Sequence, residues 1–176
     1  MPATVVLSDD GTLVIRGEPN YRNIGGVSKV LNLVIGRISV VDENNKTIFH
    51  TSQMFPAAKV SRVEIYGGNK NDNLSNTCEL PCTMYGGDGN DLLTGGSGAD
   101  CLVGGDGQDY LDGRAGNDTL VGNGDRDYLV GGPGNDSMLG GPGDDWLYGN
   151  AGDDTLIGGG GNDVISDNEG NNTKIP

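Results

Sequence analysis

The sequence predicts an all-β parallel solenoid in which glycine-rich turns alternate with very short strands, and three observations point there. From Gly86 to Ser166 the chain divides every nine residues, without a gap, into nine units. Position six of every unit is aspartate and position eight is aliphatic. Glycine supplies 33 of 176 residues without recurring at every third place, so it serves turns and not a collagen helix.

The units read GGDGNDLLT, GGSGADCLV, GGDGQDYLD, GRAGNDTLV, GNGDRDYLV, GGPGNDSML, GGPGDDWLY, GNAGDDTLI and GGGGNDVIS. Their aspartates are Asp91, Asp100, Asp109, Asp118, Asp127, Asp136, Asp145, Asp154 and Asp163, and position eight runs Leu93, Leu102, Leu111, Leu120, Leu129, Met138, Leu147, Leu156 and Ile165. Upstream, GGNKNDNLS from Gly67 to Ser75 is a degenerate copy with Lys70 at a glycine place and Asp72 at the aspartate place. Ten residues, Asn76–Tyr85, separate it from the regular array. Downstream, DNEGNNTKI keeps the length but carries Asn172 where aspartate is expected.

In its pattern GGxGxDxUx, with U aliphatic, the array resembles the RTX, or haemolysin-type, calcium-binding nonapeptide repeat. A single GGxGxD would say little in so glycine-rich a chain; nine in unbroken register is a specific signal. The resemblance implies a parallel β-roll with calcium ions between stacked glycine-rich turns. Similar rolls belong to secreted bacterial metalloproteases, lipases, alginate epimerases and toxins.

The physical chemistry of the repeat agrees. Positions one to six form a turn whose backbone can take φ > 0 and whose carbonyls no side chain shields. Positions seven to nine form a strand with the eighth side chain inward. Two units make one coil of eighteen residues, and coils stack as parallel strands about 4.8 Å apart. One edge of the roll then carries Asp91, Asp109, Asp127, Asp145 and Asp163, with Asp72 one residue out of register below them. The other edge carries Asp100, Asp118, Asp136 and Asp154. Between stacked turns, carboxylates and free carbonyls make the all-oxygen cage that Ca²⁺ prefers at roughly 2.3–2.6 Å, whereas Mg²⁺ demands a tighter octahedron. The resemblance places each ion between two turns, bound by position-six aspartates and turn carbonyls. Five gaps on the first edge and three on the second make about eight ions.

Charge distribution supports a cation as partner. The net charge of −14 is concentrated in residues 86–166, which hold fifteen acids against only Arg114 and Arg126. So acidic a segment repels nucleic acid and anionic lipid. With 34% hydrophobic residues the chain is poor in core, so something besides apolar burial must offset the entropy of ordering it.

Residues 1–66 lack the nonapeptide but read as strands, namely TVVL, TLVI, LNLVI, RISVV, TIFH and VSRVEIY, separated by turn signals. They are expected to be a metal-poor β cap on the N-terminal end of the solenoid, since the first coil would otherwise expose an unpaired edge. The expected organisation is therefore 1–66 cap, 67–85 degenerate repeat and insertion, 86–166 nine repeats and 167–176 C-terminal remnant.

Other chemistry is sparse. His50 is the sole histidine, and no zinc motif, nucleophile elbow or phosphate-binding glycine loop occurs, so the chain is not expected to be an enzyme. Cys78 and Cys82 bracket Glu-Leu-Pro without further ligands; a local disulfide and inert thiols are both open readings. No N-terminal signal peptide and no membrane span are expected. The resemblance implies secretion from bacteria by a one-step route to the calcium-rich exterior and folding there. The family's secretion signal usually follows the repeats, where here only about ten polar residues follow Ser166.

The eighteen-residue coil makes the outer faces unequal. Position seven of odd units stacks Leu92, Tyr110, Tyr128, Trp146 and Val164, while even units stack Cys101, Thr119, Ser137 and Thr155 beside an aliphatic column of Val103, Val121, Leu139 and Ile157. The face around Tyr110, Tyr128 and Trp146 is a candidate contact for protein or carbohydrate; stabilisation of neighbouring strands is the simpler role.

Overall fold

The computed structural model describes residues 61–76, 79–167 and 169–175, together with the backbone of four upstream strands. Those four are β1 (Thr4–Leu7), β2 (Thr12–Arg16), β3 (Ile38–Val41) and β4 (Thr47–Thr51). Next come β5 (Arg62–Asn69), β6 (Asn73–Asn76), β7 (Cys82–Asp88), β8 (Leu92–Thr94), β9 (Cys101–Asp106) and β10 (Tyr110–Asp112). The array continues with β11 (Thr119–Gly124), β12 (Tyr128–Pro133), β13 (Ser137–Pro142), β14 (Trp146–Ala151), β15 (Thr155–Gly160), β16 (Val164–Ser166) and β17 (Thr173–Ile175).

Alternate strands build two facing sheets, because each nonapeptide crosses the roll once and the next returns. One sheet runs β1-β2-β5-β7-β9-β11-β13-β15-β17 and the other β16-β14-β12-β10-β8-β6-β3-β4. From β5 and β6 onward, pairing within each sheet is parallel, and from β7 and β8 onward the register steps by eighteen residues, as in Tyr110↔Tyr128 and Leu120↔Met138. The chain is thus an all-β parallel β-roll. At the N-terminal end, β2 continues the first sheet in parallel, whereas β1 pairs with it antiparallel and β3 pairs antiparallel with both β6 and β4. Of the strands read from the sequence, LNLVI lies outside the described residues.

The break in the nonapeptide register after Asp72 amounts to a single residue, and Cys78 lies outside the described residues. Val63 pairs with Cys82 and Asp72 stacks on Asp91, both nineteen residues on, while Cys82 stacks on Asp100 eighteen residues on. One extra residue between Asp72 and Cys82 therefore widens a single coil, and β7 supplies its second half.

The core is a single file per sheet. Leu93, Leu102, Leu111, Leu120, Leu129, Met138, Leu147 and Leu156 are fully buried between the sheets, extended at the N-terminal end by Val63, Ile65, Leu74 and Met84. At the other end Lys174 takes the inward register place above Leu156, and its Nζ donates to the Asp167 carbonyl at 2.8 Å. A charged residue there stops the apolar file from facing water.

Turns rest on backbone that side chains rarely adopt. Gly132 and Gly134, at positions two and four, have φ of 115° and 144°, and a Cβ at either would strike the carbonyl of the turn below. Where other residues stand at these positions they are forced into the same region: Arg114, Asn123, Asp125 and Asn150 have φ of 76°, 78°, 68° and 76°. Only the fifth unit bears the strain at both places. A left-handed non-glycine residue costs on the order of 1 kcal/mol, less for Asn and Asp. Asp125→Gly should therefore raise calcium-saturated stability, by up to about 1 kcal/mol, and tighten calcium binding in the gaps flanking Asp127. Thermal unfolding and calcium titration check this; lower affinity in the variant would mean that Asp125 is itself a ligand.

Candidate metal centre

Each turn brings its position-six aspartate back against the amide of the preceding coil. On the first edge the amides of Asp72, Asp91, Asp109, Asp127 and Asp145 donate to Oδ1 of Asp91, Asp109, Asp127, Asp145 and Asp163 at 2.7–3.0 Å. On the second edge the amides of Cys82, Asp100, Asp118 and Asp136 donate to Asp100, Asp118, Asp136 and Asp154 at 2.7–2.8 Å. All ten sequence-predicted site residues thus fall into two columns. Two further residues complete the second column, Cys82 at its foot and Asn172 at its head, where Asn172 Oδ1 accepts from the Asp154 amide at 2.7 Å.

These carboxylates are withdrawn from water and only half used. From Asp91 to Asp154 the position-six aspartates are 0–3% exposed. The Oδ2 atoms of Asp91, Asp109, Asp118, Asp127, Asp136, Asp145 and Asp154 are buried with no hydrogen-bond partner. Asp100 differs, its Oδ2 accepting from the Gly96 amide at 2.6 Å, and Asp72 and Asp163 at the ends of their column are half-buried. The two arginines of the array are engaged elsewhere, Arg114 with Asp112 at 2.7 Å and Arg126 with Asp144 at 3.5 Å.

The position-one glycine completes each cradle. A Cβ at Gly86 would collide with Asp91 Oδ2 and stand 2.6 Å from the Gly104 carbonyl of the next coil. Gly67, Gly104, Gly122 and Gly140 on the first edge, and Gly95, Gly113 and Gly131 on the second, repeat this arrangement. Side-chain oxygen, backbone carbonyl and missing methyl converge on one small space per gap. Among the described residues no three acidic, thiol or imidazole side chains gather as a metal cluster, so a cation would take much of its shell from carbonyls. That donor set, all oxygen and anionic, fits calcium.

A second ladder runs outside the first. At position five the amides of Asn90, Gln108, Asn135, Asp153, Asn162 and Asn171 donate to the Oδ1 of Asn71, Asn90, Asn117, Asn135, Asp144 and Asp153 one coil below, at 2.8–3.0 Å. In the sequence it shows only as Asn, Asp or Gln recurring at position five, a weaker signal than the invariant aspartate beside it. Arg126 interrupts it and instead lies over the Trp146 ring, 5.2 Å from its centroid.

The sequence comparisons bear on the same residues. The RTX calcium-binding nonapeptide repeat matches in four copies, over residues 83–111, 103–138, 130–165 and 139–173. The chain belongs to the RTX calcium-binding nonapeptide-repeat family. No curated relative and no solved structure matches it. Calcium binding in a β-roll follows from that membership, and the RTX array spans just over half of the chain.

Burial pushes the carboxyls of Asp91, Asp109 and Asp136 up to about 6 and those of Asp118 and Asp127 up to about 7 in the metal-free RTX roll. Backbone N–H donors oppose the rise and neighbouring aspartates add to it. Burial likewise raises Asp100, Asp145 and Asp154. In the unfolded chain these groups titrate near the ordinary value of about 3.9. Folded values above unfolded ones mean that protonation favours the metal-free roll, fully below about pH 4, and that this support is lost as pH rises through 6–7. Calcium-free protein should therefore gain strand signal by circular dichroism between pH 8 and pH 5. Less strand at pH 5 than at pH 8 would contradict the burial-driven shifts.

Proposed function

We propose that Asp72, Asp91, Asp100, Asp109, Asp118, Asp127, Asp136, Asp145, Asp154 and Asp163 line Ca²⁺ sites between stacked turns, about eight ions in all, and that the chain is a secreted module whose folding depends on them. The observation that carries this reading is the row of buried Oδ2 atoms with no partner, which from Asp91 to Asp145 share their cradles with a carbonyl of the next coil. An ionised carboxylate in such a place is strongly disfavoured unless a cation joins it. Bound Ca²⁺ supplies the positive charge that the sequence omits from residues 86–166. The residues do the rest: Oδ1 fixes each turn to the amide below, Oδ2 faces the gap, and glycine at position one keeps it open.

The division into a cap at 1–66, a widened coil at 67–85, an array at 86–166 and a terminal coil at 167–176 belongs to the same proposal. So does an extracellular, bacterial setting, where calcium is abundant and a chain that stays loose in low calcium folds only after export. As a non-catalytic scaffold the module also suits an accessory or targeting role within a larger secreted enzyme; a catalytic motif in flanking sequence of the full gene would favour that reading.

In excess chelator at neutral pH residues 86–166 should lose their strand structure, because one core aliphatic per nonapeptide does not offset thirteen net negative charges. Each site at a hundred times its dissociation constant contributes roughly 2.7 kcal/mol, so several filled sites reverse the balance. Circular dichroism with and without calcium measures this; a full strand signal in chelator would refute the dependence.

The aromatic face favours a second reading, adhesion to protein or carbohydrate. Leu92, Tyr110, Tyr128, Trp146 and Val164 do form one outward column, but its rings also pack on neighbouring strands: Tyr110 stacks on Tyr128 at 5.1 Å, and Tyr128 lies 5.1 Å from Tyr148 of the adjacent column. Combined Tyr128→Ser and Trp146→Ser should lower the melting temperature of the calcium form, at about 0.2–1 kcal/mol per lost cross-strand pair. Glycan-array binding or self-association that disappears in this variant would establish the contact role, and unchanged binding would leave only the ladder.

A further inference from the structure

The position-six pattern ends the second edge at Asp154, since Asn172 follows it in the column. The gap above Asp154 nevertheless has its own acid. In the three lower gaps of that edge, a Cβ at the position-one glycine would meet the carbonyl of the position-one residue one coil up: Gly113 at 2.5 Å from Gly95, Gly131 at 2.8 Å from Gly113 and Gly149 at 3.0 Å from Gly131. One coil higher, position one is Asp167, and what faces Gly149 is the Asp167 side chain, with Cγ and Oδ2 each 2.8 Å from the Cβ place. Its backbone carbonyl is occupied by Lys174 Nζ at 2.8 Å. A carboxylate has replaced a carbonyl at the same place in the cradle.

Both Asp167 oxygens are buried with no hydrogen-bond partner, and so is Oδ2 of Asp154, a residue 1% exposed whose Oδ2 also abuts the missing Cβ of Gly149. Asp154 Oδ2 and Asp167 Oδ2 therefore face one gap, with Asp167 Oδ1 buried and unpartnered on the same carboxylate. Asn172 does not compete: its Oδ1 takes the Asp154 amide and its Nδ2 donates to the Glu169 carbonyl at 2.5 Å. It carries on the ladder without adding charge. Like charge from Asp167 adds to the burial that raises Asp154, as expected for two acids sharing a dry space.

We propose that Asp167 and Asp154 hold a further Ca²⁺ between turn 149–154 and the coil 167–175, a site outside the nonapeptide pattern. It rests on the calcium reading of the roll. Two carboxylates balance one divalent ion, and a carboxylate able to offer both oxygens suits the six- to eight-fold shell of calcium better than a single carbonyl. The ion would clamp the last coil onto the array.

Native mass spectrometry of the full chain, titrated with calcium, tests the site. Asp167→Asn should bind one ion fewer than the wild type, while Asp118→Asn, inside the array, serves as a comparison for loss of an ordinary site. Hydrogen exchange gives a readout that needs no variant: calcium should slow the amides of Asn171 and Thr173, which bond to Asp153 Oδ1 and the Asp154 carbonyl at 2.8 Å each. In Asp167→Asn that slowing should vanish while β12 to β14 stay protected. An unchanged ion count in Asp167→Asn, or wild-type amides 171–175 indifferent to calcium in a roll that otherwise responds, would overturn the proposal. A wild type that binds no calcium would instead bring down the reading of the whole array.

Discussion

Everything in the roll depends on one divided carboxylate. At position six, one oxygen ties the coil to the amide of the coil below, and from Asp91 to Asp154, Asp100 apart, the other is turned into a dry space with nothing to bond it. The first bond requires the carboxylate to be inside; the second oxygen makes being inside unfavourable unless a cation or a proton joins it. Turn geometry, glycine placement and the absence of basic partners all serve that single constraint.

The thin core follows from the same economy of sequence. One inward residue per nonapeptide makes a continuous apolar file, but it is one side chain wide, and both outer faces are left to ladders of small, aliphatic or aromatic groups. A domain with a wider core could tolerate several uncompensated acids. Here the coil-to-coil contacts are local and repeated, so the stability of the array is a sum of similar small terms, and any change that applies at every turn is multiplied along it.

Much of this was legible in the sequence because the repeat is strict. A fixed period of nine, aspartate at six and an aliphatic at eight determine which residues stack, which face inward and which edge each acid joins. Three things were harder to read. Residues 76–85 break the period, and only the pairing of Val63 with Cys82 reveals that β7 belongs to a coil one residue wider than the rest. The position-five ladder tolerates Asn, Asp and Gln alike, so no single letter marks it. The antiparallel pairing of β1, β3 and β4 depends on long-range contacts that alternation of apolar residues cannot specify.

The stack also has a direction. Each cradle takes its carboxylate from its own coil and its carbonyl from the coil that follows in the chain. At any C-terminal edge of the stack the last cradle therefore has its carboxylate without a following carbonyl, as at Gly158 and Asp163, whereas at an N-terminal edge the first cradle keeps both partners. Each added coil thus completes the cradle begun by the coil before it and opens one of its own.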